Sequence, residues 1–165
     1  MTLGTHFVAG AYVGLAVHNL PLAAVLGFSS HFILDAIPHW DYSLSSEEPG
    51  KNGQEKDFAM DKRFVKDLFK LSLDIGIGVV VVAVLLWRAA PMAIIGAIVG
   101  GTFGVLPDLL QFVYFHYKWH FLRPLQWFHT SFMHAKTQLN DEIVLGVGSQ
   151  VAIIVFLSYL IMNTK

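Results

Sequence analysis

The sequence predicts an all-α, multi-pass membrane helical bundle of about five helices, and three observations predict it. The 165 residues are 55% hydrophobic and only 14% charged, with a mean hydropathy of +0.55. An average soluble domain carries roughly 25% charged residues, so there are too few charges here to coat an ordinary globule. The charges are also segregated. Of 23, thirteen fall between Asp41 and Lys70, whereas residues 1–40 hold only Asp35 and residues 71–115 only Asp74, Arg88 and Asp108. Finally, the uncharged stretches are long, and long apolar runs separated by polar connections are what a bilayer demands.

Taken in order, Thr5–His18 and Pro21–Ile37 read as a short helical hairpin turning at His18-Asn19-Leu20-Pro21. At ~1.5 Å per residue both are short for a crossing, so they tilt, thin the bilayer or insert in part. A polar loop follows at 43–60. Residues 70–87, 91–115 and 142–162 are spanning candidates of about 20 residues each. The whole of 1–165 reads as a single membrane-embedded domain, and the N-terminus lacks the basic n-region of a cleaved leader.

If every helix crosses, the loops at 38–63 and 116–141 share a side with the N-terminus. With the adjoining helix ends that side holds nine Lys and Arg, and the other holds Arg88 and Lys165. The asymmetry predicts a cell-membrane protein with its basic loops in the cytoplasm. Trp40, Tyr42, Trp87, Tyr114, Trp119 and Tyr159 fall near helix ends, where interfacial aromatics belong. A net charge of -1 excludes the basic footprint of a nucleic-acid binder, so the expected partner is the lipid bilayer. Oligomeric state is open. The absence of Cys excludes thiolate zinc sites and Cys nucleophiles.

Ionisable residues inside apolar helices are costly and point to function by default. Here they are His6, His31, Asp35, Asp74 and Asp108. His31 and Asp35 stand at i and i+4, one turn apart on one face, where they can share a metal ion or simply hydrogen-bond to each other. Each polar residue shares its face with glycines: His6 with Gly10 and Gly14, Asp35 with Gly27, Asp74 with Gly78, and Asp108 with Gly96, Gly100 and Gly104. Small residues allow helices to approach closely in membranes, so the polar groups are expected to face one another. All of them lie toward the loop side, which also receives His39, Asp41, His129 and His134. His18, His116 and His120 read as interfacial.

The pieces THFVAG around His6, SHFILDAIPHWDY around His31 and Asp35, VLPD ending at Asp108, and HTSFMH from His129 to His134 carry a resemblance. The chain resembles the LexA-regulated, inner-membrane-associated metal-dependent hydrolases, a family distantly allied with zinc-dependent phospholipase C. The resemblance implies that His6, His31, Asp35, Asp108, His129 and His134 are metal ligands. Thr130 and Ser131 stand where that family usually has Arg and Gly, and the H-x-x-x-D helix comes first here rather than late.

The resulting expectation is a membrane-bound hydrolase holding a divalent metal, zinc foremost and manganese or iron as alternatives. Metal-bound hydroxide would attack a phosphoester or a lipid-linked substrate at the cytoplasmic interface. Asp74, His39 and Asp41 are the candidates for general base or for orienting a ligand. The rival readings are a small ion or proton transporter using the same His and Asp residues, and a non-catalytic membrane protein whose Asp–His bonds hold helices together.

Overall fold

The computed structural model describes residues 1–50, 56–133, 139 and 142–164. They form six α-helices and one two-residue strand pair. The helices are α1 (Leu3–Val17), α2 (Leu20–Asp35), α3 (Lys62–Leu85), α4 (Pro91–Tyr117), α5 (Arg123–Trp127) and α6 (Ile143–Thr164). The all-α architecture and the opening hairpin are as expected. The helix count is not: residues 120–122, 123–127 and 128–133 of the expected connection form a 3-10 turn, α5 and a π-helical turn. The short repeat of apolar and polar residues in FLRPLQWF gives too little periodic signal to announce a five-residue helix.

The hairpin turn has local causes. His18 takes the left-handed conformation at φ 48, Asn19 caps α2 by accepting from the Leu22 N–H at 2.9 Å, and Pro21 sits in the first turn. Such a cap contributes about 1 kcal/mol, and an early proline loses no helical hydrogen bond. Helix α3 begins eight residues before the apolar run, because Asp61 accepts from the Arg63 N–H and starts the helix within the charged segment. Within the polar loop at 43–60, β1 (Glu47–Glu48) pairs antiparallel with β2 (Asp57–Phe58). Buried Asp67 fastens it to α3 by accepting from the Ser46 N–H at 2.7 Å.

Helix α1 is the centre of the bundle and packs on α2, α3, α4 and α6. Phe7, Val8, Ala11 and Leu15 share a core cluster with Val82 and Leu86 at the end of α3, Ala97 of α4 and Ile161 of α6. The glycine faces legible in the sequence meet as backbone-to-backbone contacts. A Cβ on Gly10 would fall on the Gly100 carbonyl, one on Gly14 on the Gly96 carbonyl, and one on Gly27 on Gly100 again. The outer faces of α3 and α6 are apolar and exposed, as at Phe69, Ile77, Val80, Val84, Val151, Val155 and Phe156. Three helices, α3, α4 and α6, are long and apolar enough to cross a membrane, and α1 and α2 are shorter apolar helices.

Candidate metal centre

The close approach of α1, α2 and α4 brings their polar residues to one point. His6, His31, Asp35 and His129 are fully or almost fully buried, and Asp108 is the one partly open member at 25%. His31 and Asp35 come from the last turns of α2, His6 from the first turns of α1, and Asp108 follows Pro107 in α4. His129 enters on the π-helical turn after α5, a helix form often found at functional sites. Its ring is packed edge-on against Phe32 and His31.

The two oxygens of Asp35 serve different neighbours. Oδ2 lies 3.1 Å from His31 Nε2 and 3.0 Å from His129 Nε2, and those two nitrogens are 3.0 Å apart. Asp108 Oδ1 completes this set at 3.6 Å from His31 Nε2 and 3.9 Å from His129 Nε2. On the other side, Asp35 Oδ1 lies 3.1 Å from His6 Nε2 and accepts from the Met1 amino nitrogen at 3.0 Å. His6 is fully buried and stacked on His31 at 3.9 Å, yet neither of its ring nitrogens has a satisfactory hydrogen-bond partner.

The tautomer of His31 follows from its surroundings. Its Nδ1 is 2.9 Å from the Gly104 carbonyl. A carbonyl only accepts, so Nδ1 carries a proton, which leaves Nε2, beside Asp35 and His129, as the nitrogen that would face a cation. A backbone carbonyl holding the far nitrogen is the usual way a ligating histidine is oriented. The donor types, two imidazole nitrogens and two carboxylate oxygens, suit zinc or a similar divalent ion. So do the separations. An ion with four bonds of 2.0–2.1 Å has donors ~3.3 Å apart, and the five distances above, 3.0–3.9 Å, bracket that edge.

The remaining predicted residues are placed differently. His39 is buried beside the cluster, donates from Nδ1 to the Ile37 carbonyl at 2.7 Å, and turns Nε2 to the Met1 nitrogen at 2.8 Å. Asp41 is at the edge, 3.6 Å from that nitrogen, and also accepts from the Tyr42 N–H. Asp74 reaches the site indirectly, through the start of α1 and Tyr42. Its Oδ2 accepts from the Gly4 N–H at 3.1 Å and from the Tyr42 hydroxyl at 3.3 Å, so it caps the helix that carries His6. Burial, reinforced by the Asp74 carboxylate, raises the Tyr42 phenol above its ordinary value and keeps it a donor. His134 lies outside the described residues.

A comparison with known proteins adds no relative. No protein-family model, no curated protein and no solved structure matches the chain.

The sequence reasoning missed two contributors. Gln150 of α6 accepts from the Thr2 N–H at 2.9 Å and donates to the Trp40 carbonyl at 2.8 Å, binding α6 to both the start of α1 and the segment after α2. As the one carboxamide in the run 142–162, it was a visible signal. The Gly104 carbonyl, which orients His31, had none, because a backbone acceptor leaves no mark on composition.

The placement of Asp74 leads to a prediction. Asp74→Ala removes a cap and is expected to cost about 1 kcal/mol of stability. It should also weaken metal affinity by about tenfold, as loss of an outer orienting group does, with Asp74→Asn recovering most of both. Unfolding curves and metal titrations check this. Intact stability and affinity in Asp74→Ala, with hydrolysis abolished, would instead mark Asp74 as the base.

Proposed function

We propose that the protein is a membrane-embedded, metal-dependent hydrolase acting on a phosphoester of an amphipathic or lipid-linked substrate. The observation that carries this reading is the convergence of buried His and Asp donors in two groups that share His31, His6–His31–Asp35 and His31–Asp108–His129, with His31 oriented by a carbonyl. The resemblance in the sequence motifs supports the same class and adds His6 and His134 as ligands. The exposed apolar faces of α3 and α6 support a bilayer location, and the loop charges support a cytoplasmic site.

A divalent cation, zinc first among the candidates, would polarise a phosphoryl oxygen and acidify a water there. The chain's own residues do the rest. The carboxylate of Asp35, buried among the imidazoles of His6, His31, His39 and His129, supplies negative charge that attracts and holds a cation in a low-dielectric site. Asp108, the partly open member, is where the centre meets its surroundings, so substrate approaches from its side. His39 and Asp41 hold the Met1 nitrogen against Asp35 and so fix the start of α1, three residues before His6. With no Cys in the chain, thiol nucleophiles play no part.

The test is metal content and phosphodiesterase activity of detergent-purified protein, beside His31→Ala and His129→Ala. Wild type should bind zinc or manganese and hydrolyse a phosphodiester, and each variant should lose both. Equal metal content in all three proteins overturns the reading and favours Asp–His bonds that only join helices. Metal binding without hydrolysis, but with cation or proton flux into proteoliposomes, favours the transporter.

A further inference from the structure

Between the end of α4 and the metal cluster the chain runs along the surface for a dozen residues. Tyr117, Trp119, Phe121 and Trp127 are 58%, 51%, 74% and 62% exposed, whereas Leu122 and Gln126 between them are buried against the body. Leu122 packs with Tyr114 and Phe115 of α4, so the segment is fixed with its aromatic side outward. Four large exposed aromatics within eleven residues, with two of them Trp, fit the headgroup level of a bilayer, where an amphipathic ring has one side apolar and the other wet.

The charge of this segment defines the lipid. Residues 109–140 contain no Asp or Glu, and among residues 117–127 the charges are Lys118 and Arg123. Lys118 lies 3.5 Å from Asp57 and is engaged within the protein. Arg123 is exposed and forms no ion pair among the described residues. A guanidinium paired with no carboxylate among the described residues and flanked by exposed Phe121 and Trp127 matches the phosphate of an anionic headgroup. The segment also follows directly in the chain on α4, a helix long enough to span.

The segment is not an isolated anchor. Directly after exposed Trp127, Phe128 packs on Phe32 of α2 at 5.2 Å, and His129 then enters the cluster. We propose that anionic phospholipid seats the Trp119–Trp127 segment in the headgroup layer and thereby sets His129 against Asp35 and His31. This rests on the metal-centre reading above and adds lipid control of it. Because linkage is reciprocal, whatever the lipid adds to metal affinity, the metal adds to lipid affinity.

The experiment uses full-length protein reconstituted into phosphatidylcholine bilayers with or without phosphatidylglycerol. In a variant retaining only Trp127, with Trp40, Trp87 and Trp119 changed to Phe, lipids brominated near the headgroup should quench the emission strongly. Zinc affinity, measured by competition with a chelating dye, should be about fivefold higher with phosphatidylglycerol, the effect of one basic residue at an anionic surface. Arg123→Glu should remove that difference and leave the affinity in pure phosphatidylcholine unchanged. An unquenched Trp127 with water-exposed emission overturns the anchor and points to a protein partner on this face. Quenching with equal zinc affinity in both bilayers overturns lipid control and leaves the metal centre standing. No zinc binding in either bilayer overturns the metal reading and, with it, the coupling, whatever the quenching shows.

Discussion

Asp35→Asn is expected to abolish the stabilisation that a divalent cation gives the wild-type protein. The two oxygens of Asp35 face separate sets of neighbours within the centre: His31 and His129 on Oδ2, His6 and the Met1 nitrogen on Oδ1. An amide keeps the shape, but one of its two ends becomes an N–H2 donor, which cannot bind a cation and meets imidazole nitrogens or an amino group on either side. Losing an outer orienting group costs metal affinity ~10–100-fold, and an inner carboxylate costs more. At a cation concentration 100 times the wild-type dissociation constant, binding stabilises the fold by about 2.7 kcal/mol. A variant with about 100-fold weaker affinity gains only about 0.4 kcal/mol at that concentration. Unfolding followed with and without zinc measures both figures. Asp61→Asn, on the exposed start of α3, is the control and should respond to zinc as wild type does. An equal zinc response in Asp35→Asn would sink the assignment of Asp35 as a ligand.

The centre was legible where it obeys a helical period. His31 and Asp35 share a face because i and i+4 must, and the steps of four from His6 to Gly14 and from Gly96 to Asp108 marked the faces that meet. The period shows which face a residue occupies but not what stands opposite. Asp74 illustrates the limit: its face is the glycine face of α3, and Gly78 on that face does abut Gly4, yet its partner is the N-terminus of α1 rather than the cluster. His129 lies on a π-helical turn with no repeat to read, so topology could bring it only to the loop side, and the HTSFMH resemblance alone marked it as a ligand. The surface segment from Trp119 to Trp127 was visible as aromatic and basic, but its alternation of buried Leu122 and Gln126 with exposed rings is set by α4 beneath it.

The same glycine contacts make Gly100→Ala the substitution with the largest expected effect on stability. A Cβ at Gly100 would strike the Gly10 carbonyl and come within 2.9 Å of the Gly14 Cα and N, all of them backbone atoms that cannot rotate away. The Gly100 carbonyl is in turn what Gly10 and Gly27 pack against, so one added methyl separates α4 from both α1 and α2. Overpacking by side chains costs about 1–3 kcal/mol, and a clash with two backbones should lie at or above the top of that range. Gly76→Ala in α3 is the matched control, since nothing stands within 4 Å of its Cβ position. That change should be neutral or stabilising by up to ~1 kcal/mol, the helix-propensity gain of Ala over Gly. Denaturant titrations in micelles compare the two, and equal stability would show that the helices do not meet as described. The consequence extends to the site. Gly100 is eight residues, ~12 Å along the helix, from Asp108. Yet α1 carries His6, α2 carries His31 and Asp35, and α4 carries Asp108, so parting these helices opens the centre. Gly100→Ala should therefore lose metal affinity as well as stability, a coupling absent from a protein whose His and Asp residues only decorate the bundle.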